Sequence, residues 1–123
     1  MIATHWDTER GLVLHRCQDE VSMSDVMRSL ATAISHPDYL KTKATIWDMR
    51  AGDFNVSAQE LENSVPAIEG VTALPSNGRR VAWVVEFQAE AEIMEAIYRD
   101  HPWTSKWRMF TSIRQAEEWV SEP

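Results

Sequence analysis

Residues 44–60, ATIWDMRAGDFNVSAQE, decide how the chain is read. The opening residues Ala44, Thr45, Ile46 and Trp47 are mostly β-branched or aromatic and do not alternate with polar residues, the pattern of a strand covered on both faces. Asp48 and Arg50 end that run, and a polar segment containing Gly52 follows as a loop. Ser57 and Glu60 then give the S-x-x-E spacing of a helix capping box. A strand that runs through a loop into a capped helix is where open α/β sheets build their sites.

A second apolar run, residues 80–86 (RVAWVVE), repeats the strand pattern. The reading predicts that 44–49 and 80–86 lie side by side, parallel, in the middle of one sheet. Around them, residues 2–7 and 12–17 form a hairpin across Thr8-Glu9-Arg10-Gly11. Ser22 and Asp25 open a helix whose stripe is Val26, Met27, Leu30 and Ile34, stopped at His36-Pro37. The helix from Ser57 carries Leu61, Val65 and Ile68 on one face, and Pro66 requires it to kink or to end and restart. Pro75-Ser76-Asn77-Gly78 reads as loop. A helix over 89–100 turns Ile93, Met94, Ile97 and Tyr98 inward, and 106–111 is a last strand. Ser112 and Gln115 then cap a helix with Ile113, Ala116, Trp119 and Val120 inside. The fold class is α/β in the order β-β-α-β-α-β-α-β-α, a mostly parallel sheet with an antiparallel entry hairpin over one domain, residues 1–123.

Composition narrows the function. With 123 residues, 44% hydrophobic and 25% charged, the chain can bury a core of its own without disulfides or metal. A net charge of −7 opposes both a nucleic-acid backbone and an anionic membrane surface. The start, MIATHWDTERG, lacks the basic and apolar regions of a signal peptide, and no apolar run reaches the roughly 18 residues of a membrane span. With one cysteine, Cys17, read as a buried inert thiol, the expected setting is cytoplasmic. His5 and His15 face each other across the hairpin but supply only two ligands, so no metal is expected. Four scattered glycines make no phosphate loop, and no cofactor is expected.

The strand order and three segments give a resemblance. HWDTERGLVLHR looks like the entry hairpin of a STAS domain (sulfate transporter and anti-sigma-factor antagonist), IWDMRAGDFNVSAQEL like its third strand and second helix start, and SIRQAEEWV like its last helix. The likeness is to the small stand-alone, anti-sigma-factor-antagonist-like branch, and it implies a non-enzymatic regulatory module acting through a protein partner. In phospho-switched members a serine in an Asp-Ser-Ser/Thr-Gly turn begins the second helix, and the matching residue here is Ser57. Val56, Ala58 and Gln59 stand where that motif has Asp, the second hydroxyl residue and Gly, so the resemblance implies the fold without a working switch.

Three groups of residues are candidate sites. Asp48, Arg50 and Ser57 form an interaction or switch surface, although Asp48 also suits a turn and Ser57 a helix cap. Trp47 and Trp83 either pack in the core or, with Glu86 at the rim, line a pocket for a small apolar, lipid-like molecule. Asp48 and Glu86 end apolar strands: either Asp48 caps the following turn and Glu86 sits solvated, the commoner arrangement for a turn-forming Asp, or, where the strands are neighbours, the two carboxylates share one crevice and one pKa rises. Trp103 and Trp107, flanking the turn HPWTSKW, make a self-association surface for a homodimer or pack in the core.

Overall fold

The computed structural model describes the chain except Asn55, residues 73–78 and 102–105, and the side chains of Val71 and Thr72. Five strands form one sheet in chain order: β1 (Ile2–Asp7), β2 (Leu12–Val21), β3 (Ala44–Phe54), β4 (Arg80–Val84) and β5 (Trp107–Phe110). β1 pairs antiparallel with β2, and every later pair is parallel. The two central apolar runs are neighbours, with Ala44 opposite Arg80, Trp47 opposite Trp83 and Asp48 opposite Val84.

The helices divide between the two faces. α1 (Met23–Ser35), α2 (Ala58–Asn63), α3 (Val65–Thr72) and α4 (Gln88–Tyr98) bring Val26, Leu61, Ile68, Ala91, Met94 and Tyr98 onto Trp47, Met49 and Trp83. Crossovers of one hand between successive neighbours place their helices on one side. α5 (Ile113–Val120) covers the other side, where Ala116 and Val120 meet Leu12, Ala44, Ile46, Ala82 and Val84. Alternation along β3 sends Thr45 and Trp47 to the first face and Ala44 and Ile46 to the second.

Local chemistry sets the helix ends. Ser22 and Asp25 form a complete capping box, as do Ser57 and Glu60, while Ser112 accepts from the Gln115 amide. The helix after Ser57 breaks at Ser64, two residues before Pro66, giving α2 and α3. Ser57 is exposed and its side chain accepts the Glu60 N–H at 3.1 Å. Ser57→Ala is expected to cost about 1 kcal/mol, read as a lower urea midpoint with an unchanged slope.

Several boundaries differ from the sequence reading. β3 continues through Gly52 to Phe54, where a loop is expected, because β2 also continues to Val21 and pairs with it from Gln18↔Ala51 to Val21↔Phe54 beyond a bulge. A Cβ at Gly52 would stand 3.1 Å from the Cys17 Cβ, so glycine is what permits this close approach. Thr4, not His5, lies opposite His15 in the hairpin. Ile93 points outward at 56% exposure, and Ala91 takes its place against the sheet. The turn expected at 75–78 lies outside the described residues.

Candidate functional site

Between the sheet and the helices of its first face is a cavity of about 230 Å³. Trp47 and Trp83 form its floor, Met23, Met27 and Leu30 one wall, and Leu61, Ile68, Met94 and Tyr98 the others. The floor belongs to an aromatic row that follows the strand register from His15 through Trp47 to Trp83 and then steps diagonally to Trp107. His15 stacks on Trp47 at 3.9 Å between ring centroids, and Trp47 lies 5.2 Å from Trp83 with the planes 9° apart. Trp107 continues the row 5.2 Å from Trp83, and Tyr98 meets it edge-on at 5.6 Å. Offset stacking at these separations adds to the burial each ring contributes.

Polar groups close both ends of the row. Thr4 Oγ1 and His15 Nδ1 share a hydrogen bond of 2.9 Å, and burial pushes the His15 pKa down to about 4. Tyr98 Oη lies 2.9 Å from Ser64 Oγ and donates to the Leu61 carbonyl, fastening the α2–α3 break to α4. Trp83 Nε1 is a buried donor without a hydrogen-bond acceptor among the described residues.

At the strand-entry end of the cavity lies Arg79, 9% exposed. Its guanidinium sits 3.9 Å over the Tyr39 ring, donates from Nη1 to Thr42 Oγ1 and, at 3.4 Å, to Thr45 Oγ1, and donates from Nη2 to the Tyr39 carbonyl at 2.7 Å. Nothing in the sequence singles out Arg79, because an arginine before a strand looks like an ordinary solvated flank. Its burial depends on the short 3₁₀ turn Tyr39–Lys41, which no hydrophobic period announces.

The expected site residues separate. Trp47 and Trp83 line the cavity, whereas Glu86 is exposed and lies outside its lining. Asp48 belongs to the face covered by α5 and is buried, with Arg50 donating to it through Nε and Nη2, each at 2.9 Å. The Arg50 hydrogen bonds hold the Asp48 carboxyl below the usual carboxylate range, so the raised pKa expected from a crevice shared with Glu86 is replaced by an ion pair of the opposite effect. Arg50 lies within β3 rather than on a loop, and Ser57 stands beyond the strand end at the start of α2. Trp107 is half-buried against Trp83 and Tyr98, and Trp103 lies outside the described residues. Cys17 is buried, and burial raises its pKa to about 11. Among the described residues no cluster of three metal-ligating side chains occurs, and no helix is long and apolar enough to cross a membrane.

No family model matches the sequence, and no curated protein matches it. Solved structures do resemble it. The anti-sigma factor antagonist SpoIIAA in its unphosphorylated form aligns over 100% of both chains with a TM-score of 0.63 and 14% identity. An uncharacterised protein of the DUF3478 family with a SpoIIAA-like fold, from Shewanella loihica, aligns over 98% of this chain and 92% of its own, with a TM-score of 0.60 and 14% identity. The Bacillus cell fate determinant SpoIIAA in its phosphorylated form gives a TM-score of 0.56 at 14% identity over 98% of this chain and 99% of that one. The fold is therefore SpoIIAA-like, with the mostly parallel sheet and entry hairpin expected from the sequence.

Proposed function

We propose that this chain is a non-enzymatic regulatory module that binds one small apolar molecule between its sheet and the helices α1 to α4. The observation that carries this reading is the apolar cavity floored by Trp47 and Trp83. Its volume of about 230 Å³ exceeds the ~150 Å³ apolar void that takes up benzene. By the same ratio it suits a ligand of about nine or ten carbons. The lining offers contact area and a few polar groups at its ends, the usual make-up of a small-molecule site.

Regulation follows from where the cavity lies. Leu61, Ser64 and Ile68 of the α2–α3 segment are part of its lining, and Ser57 begins that segment. Occupancy thus bears on the part of the surface that resemblance assigns to a partner. The sequence around Ser57 (Val56, Ala58, Gln59) favours ligand over phosphate as the signal.

The neutral fluorophore 1-naphthylamine, with ten carbons, tests the reading. It is expected to brighten on binding with a stoichiometry of one and to quench tryptophan emission. Met27→Trp, which fills the cavity from α1, is expected to remove most of that signal while the circular dichroism spectrum is kept. No binding to the wild-type chain, or equal binding to a folded Met27→Trp variant, would overturn it.

A further inference from the structure

We propose that the ligand is a monocarboxylic acid, its carboxylate held by Arg79 and its apolar chain laid along Trp47 and Trp83. This deepens the ligand reading given above and rests on it. Four observations lead here.

The chain has 19 acidic residues against 12 lysines and arginines, yet the charged residues lining the cavity are Arg79 and Lys106, both cations. Arg79 has no carboxylate within ion-pair distance among the described residues, although it is 91% buried. A buried charge without a counter-charge is costly, and arginine does not escape by losing its proton. A bound anion would supply the missing charge.

The hydrogen bonds also show which edge of the guanidinium is left. Thr42 Oγ1 and the Tyr39 carbonyl, 2.7 Å apart, take one N–H each from Nη1 and Nη2, and Thr45 Oγ1 is the other acceptor for Nη1. Nε is buried and has no hydrogen-bond partner among the described residues. What remains is the Nε–H with the second Nη2 N–H, two parallel donors with the spacing that a carboxylate accepts bidentately. The three bonds already made fix the fork, so binding orders no long side chain.

The two halves of the site suit one amphipathic molecule. Thr45 lies two residues before Trp47 on the same face of β3, and Val81 stands two before Trp83 on β4; all four line the cavity with Arg79. A head group at Arg79 therefore leads directly onto the tryptophan floor. Neutral molecules would gain the floor and lose the fork.

Calorimetric titration at pH 8 with decanoate, 1-decanol and decyl phosphate, on the wild-type chain, tests the proposal. Decanoate is expected to bind about tenfold or more tightly than decanol, as hydrogen bonds to a charged group imply. Arg79→Met is expected to erase that advantage and leave decanol affinity unchanged. Arg79→Lys, which keeps the charge without the fork, is expected to retain only part of it. Equal affinities of decanol and decanoate for the wild-type chain would overturn the acid assignment while leaving the apolar cavity intact. Tighter binding of decyl phosphate than decanoate would overturn the choice of a carboxylate. If neither decanol nor decanoate binds, the ligand reading itself falls. The wild-type comparison decides the matter even where an Arg79 variant fails to fold.

Discussion

Trp47→Ala is expected to lower the stability of this protein by about 3–5 kcal/mol, the range for deleting a large aromatic side chain from a packed core. Trp47 is 3% exposed, sandwiched between the rings of His15 and Trp83, and packed beneath the helices of the first face. The sheet that carries it is paired on both sides, so neighbouring backbone cannot close the space left by an indole. That space would add to an existing cavity, which places the cost toward the upper part of the range. Against a typical total of about 5–15 kcal/mol, such a loss leaves little margin. Urea unfolding measures it, with an unchanged slope showing that the native state survives. Trp119, half-exposed and packed at the edge of the other face, provides the contrast, and its replacement should cost much less. Similar losses at both positions would contradict the packing described.

Stability is also expected to fall between pH 6.5 and pH 4. His15 is fully buried, and burial lowers its pKa from the ordinary 6.5 to about 4. The unfolded chain therefore takes up a proton at this position before the native one does. Its contribution is complete above pH 6.5, declines as the pH drops through that window, and is lost below about pH 4. A shift of this size corresponds to about 3 kcal/mol. The native carboxyls with lowered pKa values, Asp7, Asp25 and Asp48, withdraw stability further down the scale, near and below their ordinary 3.8, so the upper window belongs to the imidazole. Urea midpoints measured at half-unit steps should slope through it, and His15→Phe, which keeps a ring against Trp47, should flatten the slope. An unchanged slope in that variant would show that His15 is not held neutral by burial.

The parts of the fold that were legible are those where burial and period agree. The runs over 44–49 and 80–84 are apolar because both faces are covered, and the capping residues Ser22, Ser57 and Ser112 announce their helices because a short hydroxyl is the chemistry a helix start requires. The outer parts of β2 and β3 were not legible. Gln18, Asp19, Glu20, Ala51 and Asp53 are exposed, and their pairing is made by backbone groups that any residue carries. The tryptophans of the cavity floor stand in the sequence, but the cavity itself depends on how far the helices sit from the sheet. Arg79 illustrates the remaining limit. Nothing beside it in the chain marks it as buried, because its acceptors, Tyr39, Thr42 and Thr45, come from a segment more than thirty residues earlier.

The strands lie across the sheet in the order in which they occur along the chain. No strand has to be threaded between two that are already joined. Each can be added to the exposed edge of the one before, with its own crossover helix closing over it, an order that permits assembly by accretion from the hairpin outward. Loop closure is then paid one short segment at a time, which favours rapid folding for a sheet that is otherwise parallel.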